Sequence, residues 1–284
     1  MNRHANNVTT IGNLKSGINL ETARQIAPAA FSDQPSEKMS ERYAFIKTSD
    51  LAETILDSGW KLVSARQDNP RKRNPFHVAH ALDFIPGDGS VWAENDVKLG
   101  SLVPRIVLRN SHNGRTAARI QGGMFRLICL NGMMVGDSTT TIVQRHSGED
   151  PTKSLRIAME DVSERIRASM RVADLWRGIE LTAMEANFFA REALHLRFPD
   201  TAGSYDVADV LRVRRDEDRG LNLWNVFNRV QENLTAGGLT GTAATGRAIR
   251  SRPLTNIAAN LDFNVRLWAM AESRSGETVE AELA

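Results

Sequence analysis

The chain has 284 residues, 41% hydrophobic and 25% charged, with a formal net charge of +2. That is ordinary for a soluble globular protein and enough for one large domain or two modest ones. A single cysteine, Cys129 in the apolar run FRLICL, excludes an internal disulfide framework and reads as an inert buried thiol. No apolar run approaches a membrane span, and the N-terminus carries no signal core, so a cytoplasmic, membrane-free protein is expected.

The first forty residues are polar and read as an arm, with a short helical piece around Leu20 to Phe31. Ser40 to Phe45 is a first strand or an extended entry. Thr48 to Ser58 reads as a helix that Thr48 or Ser49 can cap and Gly59 ends. Trp60 to Gln67 alternates as a strand. Asp68 to Pro75 is a loop carrying Arg71, Lys72 and Arg73 between prolines. His77 to Ile85 and Val103 to Asn110 are further strands. Asn113-Gly114 favours a tight hairpin turn, from which Arg115 to Gln121 returns. Gly122-Gly123 permits a bend or a close backbone approach. Met124 to Leu130 is another apolar run, and Asn131-Gly132 closes it. Val135 and Thr139 to Arg145 can continue the sheet.

Beyond Gly148 the period changes. Helices are expected over Lys153 to Trp176, Thr182 to Leu196, Val207 to Leu211, Asn222 to Ala236 and Asn256 to Ser273. Thr182 and Glu185 form a capping-box pattern. Gly241 to Ser251 reads as a small-residue loop. The fold class is therefore α+β, an antiparallel sheet-rich N-terminal half followed by a helical C-terminal half. The expected organisation is an arm (1–40), a β-rich domain (41–147), a helical region packed on it (148–275) and an acidic tail (276–284).

Several motifs resemble one family. Asn110-Ser111-His112-Asn113-Gly114 precedes the run from Gly123 through Phe125, Arg126, Asn131 and Gly132 to Ser138. Arg42-Tyr43-Ala44-Phe45 with Thr48, Asp57 to Trp60, and His80 with Leu82 and Phe84 come earlier. Trp224, Phe227 and Asn228 lie in the stretch Asn222 to Asn233, followed by Gly237-Gly238-Leu239 and Asn264 to Trp268. Together, over roughly residues 20 to 275, these motifs resemble the phage- and plasmid-like proteins grouped as domain of unknown function 932. Asn113 departs from the aspartate usual there. The resemblance implies a mobile-element passenger and favours DNA handling or interference with host defence. A fainter, fold-level likeness is to phage single-strand-annealing recombinases.

The charge has an unusual make-up. Of 36 basic residues only seven are lysine, and arginine suits phosphate and base contact. An arginine-favouring codon composition is the alternative that demands no function. Arg105, Arg109, Arg115, Arg119 and Arg126 crowd one strand-rich block. Arg105 and Arg109 share a strand face, as do Arg115 and Arg119. If the two faces coincide, a ribbon offers four guanidinium groups to a phosphate track; the alternative is pairing with acids such as Glu160, Asp161 and Glu164. Arg247, Arg250 and Arg252 form a second basic group. His77 and His80 point to opposite faces and chelate poorly, and adjacent Ser111 and His112 make a poor nucleophile and base. Trp224, Phe227, Asn225, Asn228 and Gln231 are either a base-reading face or, more simply, core and caps.

The expectation is a non-catalytic nucleic-acid-binding protein, for DNA before RNA, without cofactor or metal, with self-association compatible. A module that docks and inhibits a host defence protein is the first alternative. A metal-dependent nuclease is the second.

Overall fold

The computed structural model describes residues 16–41, 43–68, 74–87, 102–126, 141–144, 164 and 167–276. Arg71, Lys72, Arg73, Cys129, Asn131, Gly132, Glu160, Asp161 and the tail after Gly276 lie outside them, as do the side chains of Phe125 and Arg126. The chain divides into two compact units; the described residues up to 164 belong to the first and those from 167 to the second.

The first unit opens on helix α1 (Leu20–Ile26), capped by Asn19, and a 3-10 turn at Pro28–Phe31. Ala23, Ala27, Ala29, Ala30 and Phe31 are buried, and Ile18 N–H donates to Leu62 O of the first strand. Helix α2 (Thr48–Asp57) follows. Five strands form one antiparallel meander: β1 (Trp60–Gln67), β2 (His80–Pro86), β3 (Leu102–Asn110), β4 (Ala118–Arg126) and β5 (Thr141–Gln144). Across it the register aligns Leu82, Leu108 and Ile120, with Phe84 opposite Ile106. These residues share one apolar face and are buried. Ala81, Asp83, Ile85, Val103, Arg105, Val107, Arg109 and Gln121 occupy the other face and are buried as well. Burial on both sides explains the nearly continuous apolar run of β2.

Strand β4 runs through the glycine pair, with Gly123 opposite Arg105. One turn expectation is corrected here. The Asn113-Gly114 turn, expected to be tight, is not. Residues 111–117 loop out between β3 and β4, because Ser111 Oγ accepts from Thr116 N–H and Asn113 Oδ1 from Arg115 N–H. Gly114 takes the left-handed conformation there, φ +70°.

The second unit is helical. Residues 167–176 form α3, followed by α4 (Ala183–Arg197), the short α5 (Val207–Val210), α6 (Leu223–Ala236) and α7 (Ile257–Ser275). The capping box is present, with Thr182 Oγ1 accepting from Glu185 N–H at 3.2 Å and Glu185 returning the bond at 2.7 Å. Asn222 caps α6 and Asn256 caps α7. Trp176, Phe227 and Trp268 pack ring on ring, the two tryptophans 4.2 Å apart. The segment Gly241 to Ser251, expected as a loop, instead contributes to a small hairpin of β6 (Thr240–Thr242) and β7 (Ala248–Arg250). Gly246 at φ +78° makes its turn possible. Among the described residues no helix is long and apolar enough to cross a membrane.

Candidate functional site

The arginines of the sheet divide sharply by exposure. Arg105 and Arg109 share a face, as alternation requires, and Arg119 stands directly opposite Arg109. That face is buried where β3 crosses it. Arg105 is 3% exposed and lies 2.5 Å from Asp83 on the neighbouring strand; Arg66 approaches the same carboxylate at 3.5 Å. Burial pulls the Arg105 guanidinium below its usual range, and Asp83 opposes the shift. Arg109 is also buried and reaches Thr116 Oγ1 at 3.4 Å. Burial raises the Asp68 carboxyl, and the Arg109 charge works against it. Arg105 and Arg109 therefore leave the phosphate-contact set, and the four-guanidinium ribbon does not form. Among the described residues Arg105 pairs with Asp83, one strand away, and Glu164 is exposed. Arg115 and Arg119 remain in solvent.

Behind the other end of β3 lies a buried polar cluster that spacing alone did not reveal. Thr48, expected with Ser49 as a candidate cap for α2, is its first residue; Lys47 holds the cap position without a side-chain bond. The Thr48 hydroxyl instead meets His80 Nε2 at 2.8 Å, His112 Nε2 at 3.2 Å and Asn110 Nδ2 at 3.1 Å. His80 Nδ1 donates to Val78 O, so its Nε2 accepts the one hydroxyl proton of Thr48. The Thr48 oxygen then accepts from Asn110 and from His112, which carries its proton on Nε2. Asn110 spends its second amide hydrogen on Ile46 O and its oxygen on Ser111 N–H. The two imidazoles pack edge to face at 4.9 Å, and Phe45 closes on His112 at 4.8 Å. Complete burial holds His80 neutral, lowering its pKa from 6.5 to about 4. Asn110 and His112 thus fasten the entry of α2 to the ends of β2 and β3. Ser111 joins them through its carbonyl, which accepts from the Tyr43 hydroxyl.

The amide-rich helix α6 is core. Trp224, Phe227, Asn228 and Gln231 are all buried. Asn228 donates to Trp224 O, and Gln231 to Asn264. Asn225 donates to Arg219 O. Asn233 leaves its helix to bond Val210 O and Arg212 O. Trp224, Phe227, Asn228 and Gln231 are therefore not open for base reading, and Asn225 is half-buried.

The hairpin of the second unit is the opposite case. Arg247, Arg250 and Arg252 are all exposed, and residues 233–261 contain no aspartate or glutamate. Arg250 stands opposite Thr240, whose hydroxyl and N–H both bond Asp209 at 2.6 Å. Those two bonds hold the Asp209 carboxyl below its usual range. Tyr205 bridges to Gly241 on the outer edge of β6. Tyr205 and its surroundings escaped sequence reasoning, since only the folded chain brings residue 205 to residue 241. Among the described residues no group of three His, Cys, Asp or Glu side chains is placed to hold a metal ion.

The family described as Domain of unknown function (DUF932) matches residues 35–268. The chain belongs to this family. Its relatives include the UPF0380 protein YfjQ of Escherichia coli (strain K12), 30% identical over 254 residues with 88% of each chain covered. The UPF0380 protein YafZ of the same organism is 29% identical over 251 residues, again with 88% of each covered. No solved structure matches the chain. The family motif around Asn110, Ser111 and His112 falls on the buried cluster, and Trp224 and Asn228 fall in the helical core.

Proposed function

We propose that this protein binds nucleic acid without catalysis, through the arginines that the fold leaves in solvent, in the cytoplasm and as the product of a mobile element. The observation that carries the reading is the hairpin: three exposed guanidinium groups within six residues, in a stretch free of carboxylates. Small residues around them let a sugar–phosphate backbone approach closely. Arg115 and Arg119 are a smaller, separate contribution on the first unit. DNA is the polymer put first.

Salt dependence tests this directly. Three phosphates neutralised by the hairpin give a slope of log K against log[salt] of about −3. The R247A/R250A/R252A protein then loses most of that slope. A salt-insensitive interaction, or none with any DNA or RNA, removes the reading.

A second reading, docking on a host defence protein, draws support from Met184 and Phe188. They are 79% and 56% exposed and lie four residues apart on α4. Partner capture that survives nuclease treatment and is lost in M184S/F188S favours it over the first.

A further inference from the structure

We infer that a cleft beside the hairpin seats one unstacked nucleobase, so that the polymer bound is single-stranded; this rests on the nucleic-acid reading above. A cavity of about 600 Å³ is walled by Asn187 and Arg191 of α4 and by Tyr205, Asp206 and α5. That volume falls in the range of small-molecule sites and accommodates a nucleotide.

The lining has the chemistry of a base site with a built-in direction. Tyr205 is its aromatic wall, packed on Phe198 at 4.6 Å, and Arg197 lies over Phe198 in turn. A base stacks on such a ring without sequence preference. Asn187 donates its amide to Ala183 O, which leaves its carboxamide oxygen to accept from an exocyclic amine of a base. Arg191 is exposed and offers a guanidinium to phosphate. The Asp206 carboxylate accepts from Ala208 N–H and repels phosphate from its own end. The base therefore sits toward Tyr205 and Asp206, and the phosphate toward Arg191.

The cleft and the basic hairpin are joined within one unit. Asp206 N–H donates to Thr240 O at 3.0 Å, and Tyr205 pairs with Gly241. A Cβ on Gly241 would lie 2.0 Å from Ser204 O, so only glycine allows this junction. A strand held by Arg247, Arg250 and Arg252 passes beside an opening that admits a base. Bases in a duplex are stacked and paired and do not enter.

Fluorescence anisotropy of the full chain tests the cleft, with one labelled mixed-sequence oligonucleotide as single-stranded DNA, as RNA and as duplex DNA. Single strands should bind about tenfold tighter than duplex at equal salt, and the tighter of DNA and RNA identifies the polymer. Tyr205→Ala should abolish the preference and Tyr205→Phe retain it, with duplex binding unchanged in both. Arg191→Ala alters an exposed side chain and serves if Tyr205→Ala fails to fold; it should weaken single-strand binding alone. Equal affinity for both forms, or a preference that survives Tyr205→Ala and Arg191→Ala, overturns the cleft and leaves the nucleic-acid reading standing. No binding to any probe overturns both.

Discussion

Arg105 and Arg250 are both strand arginines, yet one is an internal ion-pair partner and the other faces water. Arg105 lies on a middle strand of a five-stranded sheet, covered on both faces, with an aspartate waiting on the adjacent strand. Arg250 lies on a two-stranded ribbon whose neighbouring sequence holds no acid. The difference teaches that the position of a strand in its sheet, more than the local density of arginine, decides whether a guanidinium is available to an outside anion. Burying a charge is tolerable only with a partner, and Asp83 is that partner.

The sharpest way to break this contrast is to remove Asp83. Asp83→Ala leaves Arg105 and Arg66 beside an empty site in the sheet, and should cost about 3–5 kcal/mol in urea unfolding. A loss below about 1 kcal/mol would show that the sheet arginines are solvated after all.

The next effect is one of pH. His80 in the fold has a pKa near 4, below its ordinary 6.5, so the unfolded chain takes up the proton first as pH falls. Stability should therefore be level above pH 6.5, fall as pH drops from 6.5 toward 4, and lose roughly 3 kcal/mol in all from this group. Unfolding midpoints at intervals across that window, compared with those of His80→Gln, isolate the contribution; parallel curves for the two proteins would refute it.

Thr48→Val keeps the shape and deletes the hydroxyl that three buried side chains share. A loss of about 2 kcal/mol is expected, with Thr48→Ser retaining most of the stability. If valine is neutral, the cluster is not a fastening.

The smallest expected change in stability belongs to the hairpin. Arg247→Ala, Arg250→Ala and Arg252→Ala should each move unfolding by less than about 0.5 kcal/mol, as for exposed residues generally. Their effect should appear in the salt dependence of binding instead. A destabilisation comparable to that of Asp83→Ala would erase the distinction between the two groups.

Periodicity alone made the α+β layout legible, because burial of one face imposes a repeat of two on strands and of 3.6 on helices. The capping box and the glycine stops were equally plain, since they act within four residues. Thr48 misled because a threonine ahead of an apolar helix has the pattern of a cap, while its hydroxyl answers to histidines 32 and 64 residues away. The arginines of β3 misled because alternation states which residues share a face and is silent on which face is covered.

Sequence by itself determined the α+β order of strands and helices outside the 240–250 hairpin, the family and the wealth of arginine, all of which follow from local pattern and composition. Tertiary structure alone decided which arginines are neutralised by Asp83, that two distant histidines close on one hydroxyl, and that Tyr205 meets Gly241. The reason is that desolvation and hydrogen bonding depend on distances in space, and strand pairing brings together residues whose separation along the chain carries no trace of it.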